Sequence, residues 1–149
     1  MSKRLLTDFF RQDHDRIEEL FRQFCAARAA GGPAARRSFQ EFVQATRRHI
    51  EWEDTLMFPL YHSQAGYSDH QIISDIEREH EHLEVLIAGI SQKLAQDELG
   101  LEPEIAQMDK LMETHHTKEE VIVYSLIDDT LSDTDREQLF ARLDGGAAV

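Results

Sequence analysis

The chain has a single cysteine, Cys25, which excludes an internal disulfide and any metal motif built on paired cysteines. We read Cys25 as a small apolar residue rather than a reactive thiol. Positive charge is also scarce. Sixteen Lys and Arg stand against 29 Asp and Glu, for a net charge of −13, with no basic cluster beyond short pairs such as Arg36-Arg37 and Arg47-Arg48. A nucleic-acid partner is therefore not expected. No apolar run approaches the roughly 18 residues of a membrane helix. The stretch from Met1 to Asp15 carries charges where a leader would need an apolar segment, so we expect a cytoplasmic protein with no membrane partner. There is no Gly-rich phosphate loop and no His-Glu-x-x-His text. Strand-like alternation is missing too.

What remains is helical periodicity. With 149 residues the chain fits one domain that can bury its own core, spanning 1–149 with its main body at about 5–130. Apolar residues recur at steps of three and four, predicting helices at about 7–30, 34–64, 69–99 and 103–128. Gly31-Gly32-Pro33, then Gly66 with Ser68 and Asp69, then Gly100 to Pro103 punctuate them. Short connections imply antiparallel neighbours, so the expected fold class is all-α, an antiparallel up-down-up-down four-helix bundle. A short C-terminal fifth helix is expected within 131–149, capped by Ser132 or Asp133 and carrying Leu139, Phe140 and Leu143, before a loose tail from Gly145 to Val149. Pro59 lies inside the second helix and should kink it.

Four His-x-x-x-Glu pairs give this scaffold its chemistry: His14/Glu18, His49/Glu53, His80/Glu84 and His115/Glu119. They form two copies of one pattern. His14 to His80, His49 to His115 and Glu53 to Glu119 are each 66 residues apart, and within each copy the histidines are 35 apart. The surrounding text agrees, Asp13-His14 matching Glu79-His80 and His49-Ile50-Glu51-Trp52-Glu53-Asp54 matching His115-His116-Thr117-Lys118-Glu119-Glu120.

The histidines also stand on the apolar seams. In the first helix the seam is Phe10, His14, Ile17, Phe21, Phe24; in the third, Ile73, Ile76, His80, Leu83, Ile87. The second gives Phe42, Thr46, His49, Glu53, Leu56, Leu60, and the fourth Met108, Met112, His115, Glu119, Ile122, Leu126. Glu53 and Glu119 thus face the axis and could bridge two ions. Glu18 and Glu84 stand one position off, better placed as terminal ligands or behind the ligands. An unpaired carboxylate on a packed seam would cost several kcal/mol, and bound cations remove that cost.

Taken alone, any such pair is more often an exposed ion pair. Chance would give about one Glu four residues after one of the eight histidines, but five are found. The fifth, His116/Glu120, is rotated about 100° from His115 and is expected to be solvated. His62, His70 and His82 have no such partner and read as surface residues, His82 being a weak candidate to support the site. Tyr61, Tyr124 and Trp52 read as packing. Of the Glu-x-x-His spacings only Glu77/His80 ends on a seam histidine, where a ferritin-like di-iron site needs two.

A His on the first helix, His-x-x-x-Glu on the second, His on the third and His-x-x-x-Glu on the fourth resembles the hemerythrin-like family, also called the HHE cation-binding domain. The resemblance covers about residues 5–130 and is most specific at His49 to Pro59 and His115 to Glu120. It implies a cofactor of two iron ions, a non-haem di-iron centre bridged by two carboxylates and a solvent-derived oxygen. Carried over, His14 and His49 would hold one iron, His80 and His115 the other, and Glu53 and Glu119 would bridge. Oxygen-carrying members have a fifth histidine where this chain has Glu84, and a bridging Asp five residues after the fourth-helix His, where this chain has Glu119 at four. A carboxylate there would lower the iron potential and favour the ferric state; without it, an open position would admit a small ligand. The expected partner is accordingly a small diatomic or peroxide ligand (O2, peroxide or NO) that the centre binds or reacts with. The alternatives are a non-catalytic iron or oxygen sensor, or a redox-silent zinc or manganese site.

Overall fold

The computed structural model describes residues 3–65 and 70–146, and all regular structure among them is helical. Helix α1 runs Leu6–Ala27 and tightens into a 3-10 turn, Arg28–Ala30. Gly31, at φ 105°, then turns the chain into α2, Gly32–Glu51, with Pro33 in its first turn, where a missing N–H costs nothing. A π turn, Trp52–Met57, leads without a break into α3, Phe58–Ala65. Next come α4, His70–Ala95, and α5, Glu102–Lys118. A second π turn, Glu119–Val123, continues α5 into α6, Tyr124–Thr130, and α7, Asp133–Gly146, completes the order. The expected break at Gly66, Ser68 and Asp69 lies outside the described residues, as does the tail from Ala147 to Val149, whereas Gly145 and Gly146, expected in the loose tail, continue α7.

The expected boundary that moves furthest is the end of the third long helix. The third long helix stops at Ala95 rather than near 99, because Asp97 takes φ 58°. The N–H of Glu98 then donates to Lys93 O at 2.9 Å and that of Asp97 to Leu94 O at 3.0 Å. This is a Schellman closure with Asp where Gly is usual. For α7, Ser132 is the cap, its hydroxyl accepting from the Asp135 N–H at 3.1 Å.

The core lies in two apolar layers. One contains Ile17, Phe21, Phe24, Phe39, Phe42, Leu83, Ile87, Ile90 and Met108; the other joins Leu6, Phe10, Met57, Phe58, Ile73, Ile76, Tyr124 and Ile127 to Leu139, Phe140 and Leu143 of α7. Aromatic contacts run along α1 and α2, Phe24 on Phe39 at 4.8 Å and Phe21 on Phe42 at 4.9 Å. Between the layers lies a buried polar stratum made of the four seam histidines, Glu53 and Glu119. Among the described residues, no helix is long and apolar enough to cross a membrane.

Candidate metal centre

Each buried glutamate sits at a π turn, Glu53 in Trp52–Met57 and Glu119 at the head of Glu119–Val123. The turns explain a run of buried residues at strict steps of four: His49, Glu53, Met57, Tyr61, and again His115, Glu119, Val123, Ile127. In a regular helix three such steps would drift about 120° around the axis; one extra residue in a widened turn takes back about 100° of it. The expected seams are corrected accordingly. Beyond each glutamate Leu56, Leu60, Ile122 and Leu126 were expected inside, yet each is only partly buried or exposed, Ile122 being 48% exposed, and the next residue along takes its place. Pro59 is not the cause, because the second π turn forms with Ser125 at the matching position.

The ligand atoms converge. Those of Glu53, His80, His115 and Glu119 lie within 4.8 Å of one another, as do those of His14, His49 and Glu119. Glu119 Oε1 is 3.1 Å from both His14 Nε2 and His115 Nε2, and Glu53 Oε1 is 3.1 Å from His80 Nε2. Donors each about 2.1 Å from one ion stand roughly 3.0–3.4 Å apart, so these are the separations a coordination shell needs. Buried atoms without a hydrogen-bond partner include His80 Nε2, Glu53 Oε1 and Glu119 Oε2. The 3.1 Å approach of His80 to Glu53 is close without being aligned for a bond, as when two donors aim at a common point. The residues fit a pair of cations.

A carboxylate holds the outer nitrogen of each of the four seam histidines. His14 Nδ1–H donates to Glu120 at 2.8 Å, His49 to Asp13 at 2.8 Å, His80 to Asp54 at 2.9 Å and His115 to Glu79 at 2.7 Å. Since a carboxylate only accepts, Nδ1 must carry the proton, which leaves each Nε2 to face the centre. The four acceptors obey the same internal repeat: Asp13 and Glu79, like Asp54 and Glu120, are 66 residues apart.

Electrostatics show what holds the stratum together when no cation does. Burial opposes charge on His49 and His80, yet Glu53 with Asp13, and Asp54 with Glu53, outweigh it and lift both to about 10. His115 rises to about 9, burial being overcome by Glu119 and Glu79. Burial pushes Glu119 up, and the charge of Glu53 adds to it. Burial, with the neighbouring His49, pulls His14 down to about 4. Protons therefore occupy the lone pairs that cations would take, and the two compete.

Glu18 and Glu84 are not brought into this cluster. Glu84 accepts two hydrogen bonds from Arg47, at 3.0 and 3.1 Å, on the outer surface. Glu18 lies 3.8 Å from His116 Nδ1, an ion-pair distance too long for a hydrogen bond. Both follow the seam argument, which set them one position off the axis. His82 is exposed.

Two expectations are overturned. His116 is not solvated: only 6% exposed, it stacks on His14 of α1 at 3.8 Å, and Glu18 of the same helix lies 3.8 Å from its Nδ1. Its neighbour Glu120 supports His14 rather than forming a surface pair. Tyr124, read as packing, puts its hydroxyl at the centre, donating to Glu53 Oε2 at 2.6 Å. The repeat offset points to Asp13, Asp54, Glu79 and Glu120; nothing in the sequence distinguished Tyr124 from a core aromatic.

The family profile of the Hemerythrin HHE cation binding domain matches residues 5–107. No curated protein and no solved structure matches the chain. The matched span includes His14, His49, Glu53 and His80, whereas His115 and Glu119 join the site through the geometry above.

Proposed function

Since the chain belongs to the hemerythrin HHE cation-binding family, we propose that it is a non-haem di-iron protein that binds or reacts with a small oxidant: O2, peroxide or nitric oxide. We read the four long helical segments as an antiparallel up-down-up-down four-helix bundle in one domain closed by α7, and assign it to the cytoplasm on its single cysteine. His14 and His49 would hold one iron, His80 and His115 the other, with Glu53 and Glu119 reaching both. Bound there, iron would supply the electrons and the open positions that a small oxidant requires. The observation that carries this reading is that four Nε2 atoms and two carboxylates face one another in a stratum where each imidazole is no more than 3% exposed and each carboxylate is fully buried. Its apolar walls keep bulk water away, and the outer carboxylates fix the ring orientations.

The test is anaerobic loading with ferrous iron followed by O2, peroxide or nitric oxide. At least one should change the optical spectrum of the iron; indifference to all three would overturn the proposal. A second reading, a sensor without turnover, draws support from the polar stratum dividing the core, since neutralising it couples cation binding to fold stability. That reading expects a large fall in thermal stability on chelation with negligible oxidant consumption.

A further inference from the structure

The two halves of the centre differ by one hydroxyl. Tyr124 and Phe58 occupy matching places, 66 residues apart, each a buried aromatic beside the stratum. Phe58 lies parallel to His80 with ring centroids 6.3 Å apart and offers no polar atom. The oxygen of Tyr124 reaches further in, 3.1 Å from His14 Nε2 and 3.2 Å from His49 Nε2, while its proton goes to Glu53 Oε2 at 2.6 Å.

A phenol has one hydrogen, and here Glu53 takes it. The oxygen can therefore present only lone pairs to His14, whose Nε2 is itself left as a lone pair by the Nδ1–H bond to Glu120. Glu119 Oε1 approaches the same nitrogen at 3.1 Å. Lone pairs packed this closely in a dry interior repel one another unless a cation, or a proton that the cation displaces, stands among them. His14 and His49 share only Glu119 in their cluster, whereas His80 and His115 share Glu53 and Glu119. Glu53 approaches this half only through Oε2, 3.5 Å from His49 Nε2 and the atom that accepts from Tyr124, so the Tyr124 oxygen is the fourth donor of the cluster His14, His49 and Glu119.

We propose that Tyr124 is a metal ligand, its oxygen completing the donor set of the ion held by His14, His49 and Glu119, with no counterpart in the half that faces Phe58. Coordination as phenolate releases one proton; Glu53 Oε2 receives it first and must pass it on to solvent, because the same carboxylate is needed by the cations. The inference rests on the di-iron reading and makes the two iron positions chemically unequal.

The experiment uses full-length protein loaded with iron, oxidised, and assayed for iron before any spectrum is taken. We expect a visible tyrosinate-to-ferric charge-transfer band, with tyrosine ring modes in the resonance Raman spectrum excited within it. Tyr124→Phe should abolish both while retaining its iron. A double variant, Tyr61→Phe with Tyr67→Phe, leaves Tyr124 as the only one of the three tyrosines and should keep both signals, which assigns them even if Tyr124→Phe loads poorly. Full iron content without tyrosine ring modes, or ring modes that survive Tyr124→Phe, would overturn the ligand assignment and leave the di-iron reading standing. Failure to take up iron would overturn both.

Discussion

Each histidine of the centre is held from behind by a carboxylate, so those acids should matter although they lie outside the ring of donors. Removing such a partner typically costs about 10–100-fold in metal affinity. Asp13→Ala and Glu79→Ala should weaken iron binding by similar factors in that range, since they serve His49 and His115 in the same way. Competition with a coloured chelator measures the effect, with His82→Ala, an exposed residue, expected to behave as wild type. Undiminished affinity in both acid variants would mean that ring orientation is set by packing alone. These acids were legible in principle, because the pairs 13/79 and 54/120 carry the offset that exposes the ligands. The His-x-x-x-Glu spacing does not reveal them, because each of these bonds crosses between helices. His116 and Tyr124 were misread for a related reason: a helix covered on two sides buries more than one stripe, and an aromatic on a seam does not reveal where its hydroxyl ends.

The π turns work at the scale of the element. A period of 3.6 residues placed every helix and every seam histidine, then failed immediately after each glutamate, where one extra residue rotates all that follows. No composition signal marks these turns; Pro59 accompanies only one of them. The shift makes a direct contrast. Met57→Ala, at a fully buried position, should cost about 2–5 kcal/mol. Ile122→Ala, on the face that an uninterrupted helix would have turned inward, should stay within about 0.5 kcal/mol of wild type. Chemical denaturation of the two variants, both in excess chelator, compares them. Equal losses would imply that the helices run regularly through the glutamates.

For the whole molecule, a second buried polar group ties distant segments together. Asp128 accepts from the N–H groups of Leu6 and Thr7 at 2.9 and 3.0 Å, capping α1 from the far end of the chain, and Arg136 of α7 donates to it at 3.2 Å. Asp128→Ala should destabilise the fold by roughly 1–3 kcal/mol, because it takes the acceptor from the Leu6 and Thr7 N–H groups and leaves Arg136 with the exposed Asp133 as its ion-pair partner; a loss below about 0.5 kcal/mol in denaturant titration would show that the junction is ornamental.

The centre also governs how stability responds to pH. His49, His80 and His115 are raised from 6.5 to about 10, 10 and 9, so what they add to the metal-free fold is complete below pH 6.5 and is lost as pH rises through those values. His14 and His116, lowered to about 4, contribute above 6.5 and lose that contribution as pH falls toward 4. Metal-free protein should therefore melt highest near neutral pH. Bound cations, having replaced the protons, should remove the alkaline decline, and an identical decline with and without metal in thermal scans would count against the shared lone pairs.

The most direct measurement is the metal content of full-length protein purified without added metal, by elemental analysis. Two irons per chain, falling to none or one in His49→Ala and in Glu119→Ala, is the predicted result. A single zinc, or no metal in a wild-type protein that is folded and also refuses ferrous iron offered anaerobically, would contradict it.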